Sequence, residues 1–359
     1  MSTFFVTVWL REILQWIYGL VNNYGIAVII FTVLIRTVLT PFEVKSRKGM
    51  RKMSEMQPKL NKLQQKYGDD KERLQQKQAE LMKKEHYNPM SGCLPLLLQW
   101  PILFCMFYAM RDIANMKLVE QAFTFLKGET PVYESFLWIK NVFMADSPFK
   151  TIAPDANAMI SIGYKAWKHM LETVSEADLA VMLQHIQTAV PAAAELTASQ
   201  IFDFSSTSAL QTTVNTYLLP TMQQLPDYIA QTAAVSGWKN VSVLLFSFTL
   251  YKDYNGLLIL PVLSGVTQWM MTKLNPAMQE QDAQQQQANQ QNGSMNAFMK
   301  YFFPIFSAFI CLSSNAGFAL YWVTINLFAT AQSILINKYL EKKDAAAKAL
   351  TDGEESMKL

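Results

Sequence analysis

Arg36 is the residue with the most chemistry to explain. It stands inside the apolar run 26–42, which is long enough to approach a bilayer crossing. A charge at membrane depth costs at least about 2.5–3.5 kcal/mol on the lenient insertion scales, so such a residue usually marks function. Snorkelling to headgroups is the alternative. The cytoplasmic cations begin at Lys45, however, roughly 13 Å further along a helix, an awkward reach for one side chain. Thr32 and Thr40 lie four residues to either side and share the face of Arg36. Trp322, Asn326 and Thr330 repeat that spacing in another apolar run, Gln99 lies midway along a third, and Thr267 and Gln268 occupy a fourth. An isolated threonine or serine in a membrane helix usually bonds its own backbone or a neighbouring helix. The five donors of a guanidinium instead require acceptors or water, so a polar face gathered around Arg36 predicts a hydrated cavity inside a helical bundle.

No bond-making constellation accompanies it. His86, His169 and His185 are scattered. Cys93, Cys105 and Cys311 lie in or beside apolar runs and read as lone buried thiols, without disulfide framework or metal-ligand spacing. No paired acid or nucleophile sits at depth. The chain is therefore expected to be no enzyme and to need no metal or cofactor.

The elements that must position these residues are apolar helices separated by polar segments. The chain has 359 residues, 51% of them hydrophobic, yet a mean hydropathy of only +0.08. Such a mean hides two populations, the signature of a multi-pass membrane protein with soluble parts. The expected fold is an all-α membrane protein, a bundle of five transmembrane helices. Residues 1–22 read as an amphipathic helix lying in the membrane plane, with Phe4, Phe5, Val8, Trp9, Ile13, Trp16, Ile17 and Leu20 on one side and Thr7, Arg11 and Gln15 on another. Arg11 and Glu12, with no basic leader before them, argue against a signal peptide. The first span covers 23–44 and a basic cytoplasmic helical hairpin 45–89, its arms Ser54–Tyr67 and Asp70–His86. The second span, 90–111, carries Pro95 and Pro101, and kinks are expected there. An extracytoplasmic region, 112–254, holds a helical insertion at about 155–236, and the third span is 255–274. A glutamine-rich cytoplasmic linker, 275–297, reads as low-complexity. The apolar stretch 298–336 would be roughly 58 Å long as one helix, about twice the hydrocarbon thickness. It must fold back near Ser313-Ser-Asn-Ala-Gly317, giving spans at 298–312 and 316–336 before a cytoplasmic tail, 337–359.

Charge sets the orientation. Residues 45–89 hold 13 lysines and arginines against 6 acids, whereas 112–237 hold 6 lysines against 12 acids. The positive segment belongs in the cytoplasm. Five crossings then put the N-terminus outside and the C-terminus inside, in a cell (plasma or inner) membrane.

Several segments carry a resemblance as an ordered set: Val33-Leu-Ile-Arg-Thr-Val-Leu-Thr-Pro41, Met56-Gln-Pro-Lys-Leu60, Asn88-Pro-Met-Ser-Gly-Cys-Leu-Pro-Leu-Leu-Leu-Gln-Trp-Pro-Ile102, Phe136-Leu-Trp-Ile139, Ile259-Leu-Pro-Val-Leu-Ser-Gly-Val-Thr267 and Asn315-Ala-Gly-Phe-Ala-Leu-Tyr-Trp322. The set resembles the YidC family of membrane protein insertases, relatives of the mitochondrial oxidase-assembly and chloroplast Albino proteins, over about 20–140 and 255–340. The family usually has proline where Asn315 stands, and Glu43 is an unexpected acid beside the basic hairpin. The outer section between spans two and three is far longer than the usual connector. The outer β-domain of Gram-negative members, with its extra N-terminal span, is not expected in this chain.

The resemblance implies an insertase and chaperone with a groove open to cytoplasm and lipid and closed outside. Arg36 is at its centre, with Gln99, Tyr321 and Trp322 in supporting places beside Thr32, Thr40 and Asn326. It implies nascent membrane proteins and membrane lipids as partners, no DNA, and favours contact of the hairpin with ribosome or Sec translocon. The residues alone leave a second class open, a small-molecule or ion transporter with Arg36 as its anion site. The absence of a second copy of the Arg36 segment counts against it.

Overall fold

The structure is a computed structural model that describes residues 4–68, 70–85, 90–243, 246–274 and 301–356. It is mostly helical with almost no sheet. Among the described residues, two helices have the length and composition of a membrane crossing, Tyr24–Tyr67 and 316–346, and Phe303–Ser313 is a shorter apolar helix. The chain divides into two compact units, Met1–Phe31 with Phe104–Val262 and Phe309–Tyr321, and Thr32–Leu103 with Leu263–Ala308 and Trp322–Leu359.

The first unit opens with helix α1, Phe5–Val21. It ends because Asn22 takes a left-handed conformation (φ 49°) and donates its N–H to the Tyr18 carbonyl, a local chemistry that asparagine tolerates. The buried stripe is Thr7, Leu10, Leu14 and Ile17, while Phe5, Trp9, Trp16 and Leu20 point outward. Thr7, expected on the polar side, is thus in the packed seam, and the large aromatics form the outer face. Tyr18 donates to Glu134, and burial together with that carboxylate pushes its phenol up to about 12.

Asn23 Oδ1 accepts the Ile26 N–H and so starts helix α2, Tyr24–Tyr67. The boundary placed at residue 45 between span and hairpin region is not a helix end. One helix runs through both, with Pro41 and Pro58 inside it. Helix α3, Lys71–Lys84, begins where Asp70 accepts from the Arg73 N–H. Residues 86–89, at the end of the expected second arm, lie outside the described residues. Helix α4, Met90–Leu126, likewise continues fifteen residues past the expected end of the second span at residue 111.

The insertion is a set of short helices: α5 Ala156–Ile162, α6 Tyr164–Leu171, α7 Glu176–Ala189, α8 Ala198–Ile201, α9 Thr207–Thr213, α10 Leu219–Met222 and α11 Pro226–Thr232. Asp155, Ser175 and Ser206 each accept a backbone N–H at the start of α5, α7 and α9, and Thr197 with Gln200 forms a capping box at α8. Short polar residues at these four places stop and restart the helix by bonding orphan amides. Trp167 is fully buried between Phe123 and Phe204, and Tyr228 packs on Phe125, so the end of α4 is the insertion's core support. The apolar run after residue 240 forms an antiparallel pair, β1 Val241–Val243 with β2 Phe246–Phe248.

A buried amide network ties α4 to the loops of this unit. The Asn141 side chain donates to Gln121 and to the Ile152 carbonyl. The Asn141 backbone N–H is bonded by Asn255 Oδ1, and Asn255 Nδ2 donates to the carbonyls of Asn141 and Ala145. Asn255, expected at the start of the third span, instead belongs to this loop network, and helix α12 runs Ile259–Leu274. The linker 275–297 lies outside the described residues. Helix α13, Phe303–Ser313, and α14, Ala316–Ser356, follow. Asn315 supplies what a proline would not, a side-chain oxygen accepting the Phe318 N–H at 2.8 Å. The amides of Ala316 and Gly317 bond the carbonyls of Met144 and Val142. The residues expected to be a short tail beyond 336 continue the same helix to Ser356.

Candidate functional site

The second unit gathers buried polar side chains in its most apolar helices. On α2, Thr32 is 2% and Arg36 7% exposed, and Thr40 is half-buried. The opposite side of the same helix shows Ile26, Ile30, Leu34, Val38 and Phe42 outward at four-residue spacing. This separation is the fourfold periodicity of the sequence made physical: an apolar stripe outward and the arginine stripe inward.

Two hydrogen-bonded clusters result. In one, Gln332 on α14 donates from Nε2 to Thr40 Oγ1 at 2.7 Å and to the Arg36 carbonyl at 3.3 Å, and Thr40 Oγ1 donates to that same carbonyl at 3.2 Å. In the other, Asn326 Nδ2 donates to Thr267 Oγ1 at 3.3 Å on α12, while Thr267 and Ser307, the latter on α13, both donate to the Ser264 carbonyl. Thr330 Oγ1 bonds back to the Asn326 carbonyl. Ser264, Thr267, Gln268, Ser307, Asn326, Thr330, Gln332 and Ser333 are all buried. A buried polar set this dense is costly unless bonded, and helices facing lipid would have no use for it.

The residues expected to act together divide as follows. Thr32, Arg36 and Thr40 lie along one buried face, Arg36 and Thr40 meet at Gln332, and Asn326 joins Thr267. Trp322 is half-buried one turn before Asn326. Tyr321 is buried in the first unit, its ring 6.0 Å from Phe318. Gln99 lies on α4, where the side chains of 90–100 are outside the described residues.

Sequence reasoning missed three participants. Gln332 lies off the Trp322–Asn326–Thr330 stripe, although an amide in an apolar helix was signal enough. Ser264 and Ser307 carry no signal beyond being small and polar. A fourth surprise is Arg47, 2% exposed beside buried Ser46, on the same α2 face three turns after Arg36. It had been counted only as part of the basic cytoplasmic charge. One turn further, Arg51 bonds Asp344 at 2.8 Å and Asn337 Oδ1 at 2.6 Å on α14.

The hairpin end of this unit is held by Leu60, Leu74 and Met56, all buried, and by Lys59 on Glu85 at 2.6 Å. The lysine holds the Glu85 carboxyl below its usual range. No group of His, Cys, Asp and Glu able to hold a metal exists among the described residues.

The model of the family described as 60Kd inner membrane protein matches residues 16–224 and 208–343. The "Membrane protein insertase YidC" of Chlorobium limicola is 24% identical over 338 residues, which is 94% of this chain and 37% of that protein. Its namesake in Pelodictyon phaeoclathratiforme is 39% identical over 137 residues, 38% of this chain and 21% of that protein. That of Clostridium tetani is 37% identical over 131 residues, 36% of this chain and 53% of that protein. The chain thus spans little more than a third of the Chlorobium relative and about half of the clostridial one. With family matches running almost from one end of the chain to the other, over helices that carry a buried arginine face, the chain belongs to the 60Kd inner membrane protein family.

Proposed function

We propose that this protein is an inner-membrane insertase and chaperone for nascent membrane proteins, built on five crossings with the N-terminus outside. The observation that carries the reading is Arg36, buried on a polar face of an apolar helical stretch, its backbone carbonyl bonded by Gln332 of a second helix. In this reading Thr32, Arg36, Thr40, Gln99, Trp322 and Asn326 line a hydrated groove open to the cytoplasm.

A short polar or acidic tail of a nascent protein enters the groove, where water and the guanidinium offset part of its desolvation. The following apolar helix slides into lipid beside α12 and α14. Partition drives the step at about −0.3 to −0.6 kcal/mol per apolar residue at the helix centre. For an acidic tail moved outward the membrane potential adds about 2.3 kcal/mol per charge per 100 mV. No nucleotide is required, and the basic hairpin is the place for ribosome or translocon contact.

The test replaces Arg36 with alanine and with lysine and follows insertion of a single-span substrate with an acidic tail. Alanine should lower insertion strongly, and lysine should retain part of it, since charge survives and the planar fork does not. Full activity of Arg36→Ala would sink the charge-guided step.

A further inference from the structure

Outside the arginine face, the first unit holds a cavity of about 460 Å³ lined by Tyr108, Arg111, Asn115, Tyr164, Lys165 and Thr207, with Asp112 at its wall. We infer that this cavity binds the phosphate headgroup of an anionic phospholipid.

Its charge is positive where its surroundings are negative. Residues 112–237 carry twice as many acids as lysines, yet Arg111 and Lys165 both line this space. Both are exposed, and neither makes an ion pair among the described residues. The one carboxylate at the wall, Asp112, faces Arg11 of α1 at 3.8 Å, so a third cation offsets it and the site keeps a positive balance. The start of α6 adds to the same field. Its cap is Gly163, with φ 86° and no side chain to bond the first amides, and a Cβ there would meet nothing within 4 Å. The open space is therefore next to orphan N–H groups that favour an anion.

The occupant is a lipid rather than a free anion because of what lies below. Phe104, Tyr108, Arg111 and Asn115 fall at helical spacing on one face of α4. Phe104 and Tyr108 are 53% and 48% exposed. The face changes from partly exposed aromatic surface to cation and then to amide at the end of the apolar run, the order in which acyl chain, phosphate and polar headgroup follow one another at a membrane surface. The Asn115 amide donates to the Ile162 carbonyl at 3.3 Å, which fixes the cavity floor to the residue before Gly163.

The assignment rests on the membrane placement of the family, not on the groove around Arg36, so loss of insertion in Arg36 variants leaves it untouched. The experiment uses the full chain, delipidated in neutral detergent and titrated with phosphatidylglycerol, phosphatidylcholine or inorganic phosphate. Amide hydrogen exchange at the start of α6 is the readout. Phosphatidylglycerol should slow exchange at Tyr164 and Lys165, with the other two probes far weaker. Arg111→Gln with Lys165→Gln should weaken that binding by about tenfold or more, the loss of one to two charged hydrogen bonds, while exchange in α7 and α9 stays as in the parent. Because both side chains are exposed, folding should survive. The single variant Lys165→Gln, with a smaller loss, serves if it does not. Equal protection by phosphate or by phosphatidylcholine, or undiminished binding in the double variant, would overturn the assignment.

Discussion

Asp146 shows how a single buried carboxylate can hold a backbone in place. It is fully buried and accepts three hydrogen bonds, from the amides of Leu257 and Leu260 at 2.7 Å each and from the Trp138 indole at 3.2 Å. The two amides lie at the entry to α12, so the charge also meets the positive end of that helix. Leu258, between them, is held at φ 64°, a conformation that costs an ordinary residue energy and survives only where neighbours over-determine it. Asp146→Asn keeps the size but turns one acceptor into a donor that faces donors. It should cost about 1–3 kcal/mol, read as a lower thermal midpoint of the purified protein. An unchanged midpoint would show that the carboxylate is not what sets the start of α12. Nothing in the sequence distinguished Asp146 from the other acids of the outer region, because two of its three partners are backbone amides more than a hundred residues away. Arg36 was legible for the opposite reason, that an apolar neighbourhood in sequence sufficed to expose it.

At the scale of elements, helix types and the α2 face were readable from periodicity, and boundaries were not. The change to basic composition at residue 45 marked the end of the first span, yet α2 runs on to Tyr67, and α4 and α14 overrun their apolar segments in the same way. Polarity marks where a helix leaves the apolar layer, not where its hydrogen bonding ends, since lysine, arginine, glutamine and glutamate are good helix formers. The loop elements were less legible still, because they depend on close approach. Gly25 of α2 lies against the Phe136 ring so tightly that a Cβ would be 2.3 Å from its Cδ2. Gly25→Ala should therefore force the ring and its turn aside, at about 1–3 kcal/mol for overpacking. Shortening the ring by Phe136→Leu in the Gly25→Ala background should recover part of that loss. Thermal melting of the two single variants and the double variant measures the coupling, and strictly additive losses would show that the two residues do not share the contact.

For the whole molecule, charge segregation makes a claim that no local contact can make. The basic arms of α2 and α3 and the acidic region 112–237 differ in sign over long stretches, and the excess of lysine and arginine determines which side is cytoplasmic. The exposed apolar stripes agree with a lipid surround, from Ile26 to Phe42 on α2, Val262, Val266 and Trp269 on α12, Ile305 and Phe309 on α13, and Leu327 and Leu335 on α14. In water such stripes would be liabilities; beside lipid tails they cost nothing. The proposed five crossings require one further consistency, that residues 62 and 343 are reached from one side of the membrane and residue 199 from the other. Single cysteines test it. Cys105 and Cys311 are buried and should stay silent, and Cys93 is removed as serine. In this background Ser199→Cys, at the exposed start of α8, should react with a membrane-impermeant maleimide on intact cells. Lys62→Cys and Lys343→Cys should react only once the membrane is opened. Labelling of Lys343→Cys from outside, with Lys62→Cys still protected, would give an odd number of crossings between them and remove one helix from the bundle. Labelling of Lys62→Cys with Ser199→Cys protected would invert the protein and place the mouth of the proposed groove on the wrong side for a nascent chain.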